Sequence, residues 1–233
     1  EKDEEDRQEQ PEASLTIQKI VEFVDLAAIE DIRGPVRRQV DYNMAIAREG
    51  LAKEYGGAVG RTILSHSQQT AADKARAYAA AGSDARMSGC TLPVIIVSGS
   101  GNQGITASVP IAVYAEEKGY GEEKMLRAVA LSDLLTIYQR QFIGRLSAYC
   151  GAVNAGCASA AGIAYLEGGG FEEVAHTLIN SLAAISGVIC DGAKPSCAAK
   201  IAASVEAGLL GYDMFIDKKE FVGGDGIVTC DAD

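Results

Sequence analysis

Histidine is scarce in this chain. Only two occur, His66 and His176, and no HxxH or HxxxH spacing exists, so a histidine-based zinc site is not expected. CxxC is absent as well, which removes the usual signature of structural zinc. No lysine- and arginine-rich run is present, and the formal net charge is −11. A polyanion would be repelled, so neither nucleic acid nor an anionic membrane is an expected partner. The longest apolar stretches are broken by glycine or charge well short of the ~20 residues that cross a bilayer. A secretion signal is also missing: the chain opens on EKDEEDRQEQ, the reverse of a basic segment followed by an apolar one. Without that signal, six cysteines are expected to stay reduced, which points to the cytoplasm. The lack of an initiator methionine adds the expectation that this is part of a longer chain.

What is present reads as helix. A chain of 233 residues can bury a proper core as one domain. Residues 1–12 form an acidic linker or tail, and residues 13–233 form the domain. Leu15, Ile17, Ile20, Val21, Val24 and Leu26 fit a helical period better than alternation. Gly34-Pro35 then punctuates, and a second helix is expected from Val36 to Tyr55. Residues 70–81 read as an Ala-rich helix stopped by Gly82. Pro93 to Val97 is the one strand-like run. Helical pattern resumes near Ile105 and continues through 122–149, 151–167, 171–186 and 196–210. One isolated strand cannot make a sheet. The expected class is all-α: a compact Ala/Gly-rich helical bundle with a central buried helix and a glycine loop.

That loop is GSGNQG, residues 99–104. It matches GxGxxG, but no second strand with an acid at its end follows, so a nucleotide site is not expected. The same physics suits a smaller anion. Amides at the start of the following helix lack partners, and the helix dipole favours a carboxylate there. Ser98, Ser100, Asn102 and Gln103 add donors suited to a small zwitterion. A plain turn and helix cap is the alternative use of the same residues.

Four cysteines form two close pairs, Cys150 with Cys157 and Cys190 with Cys197. Thiolates on Gly-bearing turns are what an iron–sulfur cluster needs from a protein. The alternative is that they are small buried apolar residues. Asp191, Lys194, Pro195 and Ser196 are poor core neighbours, which favours a ligand loop around Cys190. Cys90 and Cys230 stand apart and read as ordinary thiols.

These residues resemble the L-cysteine desulfidase family, a branch of the iron–sulfur-dependent L-serine dehydratase alpha-chain superfamily. The resemblance is carried by SDARMSG (83–89), LPVIIVSGSGNQGITASVP (92–110), RLSAYCGAV (145–153), GVICDGAKPSC (187–197) and GGDGIV (223–228). It implies an all-helical catalytic domain with a [4Fe-4S] cluster and β-elimination on a small L-amino acid. Cysteine would give pyruvate, ammonia and sulfide; L-serine dehydration is the alternative. Cluster ligands carry over to Cys150 and Cys190, with Cys197 matching a third ligand of the dehydratase branch, whose loop is longer than the one here. Cys157 falls where no ligand is needed. Such relatives begin with a segment containing GCTEP, which is absent here, so the chain resembles their C-terminal catalytic portion. The missing N-terminal segment is then an expected partner, together with further copies of the chain in a homo-oligomer.

A cluster held by three thiolates leaves one iron open as a Lewis acid toward the β-substituent. Asp191 and Lys194 neighbour the ligands in sequence and are the candidates for moving the proton. Asp84 and Arg86 lie in a matching motif, and Arg86 could pair with the substrate carboxylate; a surface ion pair or helix cap is their other use. His66 reads as an exposed loop residue. No lysine motif for pyridoxal phosphate is apparent. A non-catalytic small-molecule-binding domain is the competing account from another class.

Overall fold

A computed structural model describes residues 15–144 and 147–229. The acidic head, Cys230 and two residues of the RLSAYCGAV motif lie outside the described residues. Among these, the chain forms nine helices and no strand, only two isolated β-bridges. The all-α reading holds.

The helices are α1 (Ile17–Leu26), α2 (Ile29–Ala52), α3 (Val59–His66), α4 (Ala71–Met87), α5 (Gly101–Lys118), α6 (Glu122–Ile143), α7 (Gly151–Leu166), α8 (Phe171–Ile185) and α9 (Cys197–Ile216). Helix α5 is the centre. Every residue from Gly101 to Val113 is buried, with α2, α4, α6 and α7 packed around it. Small residues make that enclosure possible, since backbones approach closely only where side chains are short.

Several boundaries differ from the sequence expectation: α3 is absent from it, α2 ends at Ala52 and α9 runs on to Ile216, and three further limits have a clear physical reason. Helix α2 runs straight through Gly34-Pro35. Ile32, Val36 and Val40 continue one buried stripe across the proline, so packing outweighs the one hydrogen bond that Pro35 cannot donate. Helix α4 does not stop at Gly82 but reaches Met87. There the glycine serves packing: a Cβ would lie 3.0 Å from Cγ2 of Ile105. Helix α6 ends at Ile143, where Gly144 turns the chain with φ 77°.

The strand-like run 93–97 is not helical and, among the described residues, pairs with no strand. Asn43 of α2 takes the place of one. Its Nδ2 donates to the Ile95 carbonyl at 3.2 Å, and its Oδ1 accepts the Ile95 N–H at 3.0 Å. The same amide donates to Ser108 Oγ at 3.1 Å, inside a site with no solvent exposure. Gly104 lets α5 approach this segment: a Cβ would stand 2.0 Å from the Ile95 carbonyl oxygen.

Replacing Asn43 by alanine leaves a buried backbone donor and acceptor unpaired, at a cost of about 2–3 kcal/mol. Calorimetry should show a melting temperature lower by roughly 5–10 °C. An unchanged value would mean that packing alone holds residues 93–97.

Candidate active site at the start of the central helix

The chain enters α5 through a tight turn. Val97 and Ser100 exchange backbone hydrogen bonds at 3.2 and 3.1 Å, while Ser98 and Gly99 both take positive φ, 48° and 84°. Ser100 supplies no side-chain cap to α5. The first helical amides have no acceptor within the helix, yet Gly101, Asn102 and Gln103 are buried. A buried, uncapped helix start favours an anion.

Arg86, in the last turn of α4, lies across this helix start. Its Nη1 donates to Asn102 Oδ1 at 3.1 Å. A Cβ on Gly101 would come within 2.5 Å of its Nε and 2.8 Å of Cζ, so glycine is what lets the guanidinium rest there. No carboxylate among the described residues pairs with Arg86 in a salt bridge. Asp84 takes another direction. It is buried, and its Oδ2 accepts the Gly60 N–H at 3.1 Å, capping the first turn of α3. Burial raises its pKa, against backbone N–H groups of Gly60, Val59 and Gly57 that lower it. His66 is the exposed last residue of α3.

Gln103 joins this anion cradle to the cysteines. Its amide packs on Gly151, where a Cβ would lie 2.5 Å from Nε2. Cys150, the next residue, is the N-cap of α7. A short antiparallel pairing then brings the second cysteine alongside: the Cys150 N–H donates to Val188 O at 3.0 Å and the Cys190 N–H to Ala148 O at 2.7 Å. The loop after Cys190 returns to Cys197, first residue of α9, whose Sγ donates to Gly192 O at 3.5 Å. Cys150 and Cys197 are buried, whereas Cys190 is exposed.

The other two sulfurs act on Cys150. Burial raises the Cys150 pKa, the amides of Val153 and Ala152 oppose that, and the Cys190 and Cys197 thiols push it further up. Such repulsion at Cys150 is what a bound cation would relieve. Among the described residues no group of three Cys, His, Asp or Glu stands in coordinating geometry, so the thiols are neighbours and not a finished cage. The donor set itself suits iron: soft sulfur ligands, one open to solvent, at the starts of two helices. Cys157, deeper in α7, is fully buried and its thiol is pushed up to about 12 by burial. Cys90 is half-buried near Tyr55 and Lys53.

Asp191 and Lys194 lie on the same loop. Asp191 is exposed and its carboxyl is held below the ordinary range, first by its hydrogen bond from Lys200. Lys194 is exposed, and its carbonyl accepts the Cys197 N–H at 2.9 Å. A cavity of about 370 Å³ opens beside Cys150, lined mostly by apolar side chains that include Ile143, Val153, Leu182, Val188 and Ile227.

Two polar residues escaped the sequence reading. Lys200 sits one turn past Cys197, a spacing that could have signalled it. Asp133 of α6 had no such signal. Its carboxyl accepts from Gln39 Nε2 at 2.9 Å, and the same nitrogen lies 3.4 Å from the Gly104 carbonyl. Burial pushes Asp133 up to about 7, against the Gln39 bond.

Residues 6–232 match the serine dehydratase alpha chain family. A protein of Desulfitobacterium hafniense strain Y51, named UPF0597 protein DSY1109, is 56% identical over 92% of this chain and 50% of its own length. UPF0597 proteins of Lachnoclostridium phytofermentans and Treponema denticola are 50% and 46% identical, over 51% and 52% of their lengths. The chain thus spans about half the length of these curated relatives. No solved structure matches it.

Asp133 gives the fold a definite pH dependence. The folded protein keeps this proton up to about pH 7, whereas the unfolded chain releases it near 4. Stability should therefore fall as pH rises from about 4 to 7 and change little from this cause above that. In urea melts, Asp133→Asn should gain on the parent across that window; parallel curves would refute the assignment.

Proposed function

The chain belongs to the serine dehydratase alpha chain family, and on that premise we propose that it performs β-elimination on a small L-amino acid, cysteine before serine. The observation that carries this is the juxtaposition of an anion cradle and three thiols. Gln103 lies in the first turn of α5 and touches Gly151, the neighbour of Cys150.

In this proposal Cys150, Cys190 and Cys197 hold a [4Fe-4S] cluster. With three protein thiolates it supplies one open iron as a Lewis acid toward the β-thiol or β-hydroxyl. The chain's own residues do the rest. The first amides of α5 and the Arg86 guanidinium bind the α-carboxylate, a charge-assisted pairing that fixes the substrate's orientation. Asn102 holds Arg86 in place through its Oδ1. Gln103, Ser98 and Ser100 border the cradle as further donors. Asp84 supports it from a distance by anchoring α3 to α4. Lys194 is the freer of the two proton-moving candidates, because Asp191 is engaged by Lys200. Sulfur suits soft iron chemistry better than oxygen does, which is the ground for preferring cysteine.

The cavity beside Cys150 is apolar, and Phe142, Tyr149 and Ile189 are exposed near it. Because the relatives are about twice as long as this chain, we assign that face to the part of them that lies outside the matched region. Covering it would exclude water from the thiols.

Protein prepared without oxygen should carry about four iron and four sulfide per chain and release pyruvate from cysteine faster than from serine. Cys190→Ser should lose most of the iron and all lyase activity, while Cys157→Ser keeps both. Full iron and activity in Cys190→Ser would refute the cluster; faster turnover of serine would reverse the substrate order. Arg86→Met should raise KM at least tenfold, the loss of a charge-assisted bond worth about 1.5–3 kcal/mol.

A further inference from the structure

Lys200 lies three residues past Cys197, with its ammonium turned back over the thiol site. Nζ donates to Asp191 Oδ1 at 2.5 Å and to the Ile189 carbonyl at 3.1 Å. Those two residues flank Cys190. One side chain therefore grips the backbone just before the exposed thiol and the side chain just after it.

The far end of the segment is tied to the start of α9, where the Gly192 and Lys194 carbonyls accept from Cys197, but the part around Cys190 is held more thinly. Gly187 and Gly192 take φ of 87° and 93°, and residues 189–196 are all exposed. Apart from the Lys200 contacts, Cys190 itself is tied by the single bond from its N–H to Ala148 O at 2.7 Å. Exposed ion pairs contribute little as a rule. This lysine differs in being partly buried, with its side chain 20% exposed, and in having two acceptors that bracket one residue. Its charge also faces Cys150 and Cys197, so it opposes the repulsion among neighbouring thiolates.

We propose that Lys200 is the positioning residue of this site: it clamps residues 189–191 and so holds Cys190 where the cluster needs its third thiolate. This rests on the cluster reading above. Lys194, the lysine nearer in sequence to Cys190, meets the loop's end through its carbonyl, which accepts the Cys197 N–H, and among the described residues its ammonium forms no salt bridge.

The test compares the parent with Lys200→Met, Lys200→Arg and Asp191→Asn. Backbone hydrogen exchange in the metal-free protein reads the clamp directly. Lys200→Met should speed exchange at Cys190 and its neighbours roughly tenfold while leaving α7 and α8 unchanged. Asp191→Asn should do so in part, and Lys200→Arg should restore most of the protection. In reconstituted protein, iron release to a chelator should be several-fold faster in Lys200→Met and near the parent rate in Lys200→Arg, with the cluster's visible absorption decaying in step. Unchanged exchange in Lys200→Met would overturn the clamp. Faster exchange with parental iron retention would overturn its service to the cluster. A parent that binds no iron would instead remove the cluster reading, and the exchange result would still say whether the clamp exists.

Discussion

A helix cannot be buried end to end without something to answer for its first amides, and α5 is buried from its first residue. The rest of the molecule is arranged around that constraint. Four helices enclose the barrel of α5, and they do so with alanine and glycine because larger residues would hold them off. At the start of the helix no side chain caps the amides. What lies there instead is Arg86, a cation resting on Gly101, which fits an anion shared between guanidinium and helix dipole. Burial of a polar helix end costs stability, and a carboxylate bound there would offset that cost.

The thiol site follows from the same enclosure. Helix α7 begins beside Gln103, and Gly151 makes that approach possible. Cys150 is thereby carried to the edge of the anion cradle as the N-cap of α7. Cys190 reaches it by two backbone hydrogen bonds, not by a helix, and Cys197 reaches it as the first residue of α9. The three sulfurs come from three different kinds of local structure. Only Cys150 and Cys197 are fixed by packing, so the loop bearing Cys190 depends on polar contacts for its position.

Much of this was legible in the sequence because its physics is local. The Gly loop, the break into α5 and the polar surroundings of Cys190 each carry their own signal. The helix limits at Pro35 and Gly82 were misjudged because the deciding interactions are between helices: one buried stripe runs through the proline, and Ile105 presses on the glycine. The run 93–97 looked like a strand since its partner is a single amide, Asn43, some fifty residues earlier. Asp133 could not be found at all. Its environment is built by Gln39 and burial, and neither is visible from residue spacing in α6. Asp84 and Arg86 are two apart on one helix, which sends them to opposite faces; a shared motif therefore concealed two unrelated tasks.

Charge makes a further connection. The chain is acidic overall, with a net charge of −11, which would repel an anionic amino-acid carboxylate or a thiolate-ligated cluster. The site reverses that locally. The starts of α5, α7 and α9 all turn toward it, each presenting the positive end of a helix dipole. Arg86 and Lys200 add full charges, and Lys194 a third at the exposed rim. Asp191 counters them, and it is bound to Lys200. An acidic protein thus presents a small basic mouth beside its thiols. For the proposed reaction, bulk repulsion would work against every anion except at that mouth, which would leave recognition to carboxylate geometry.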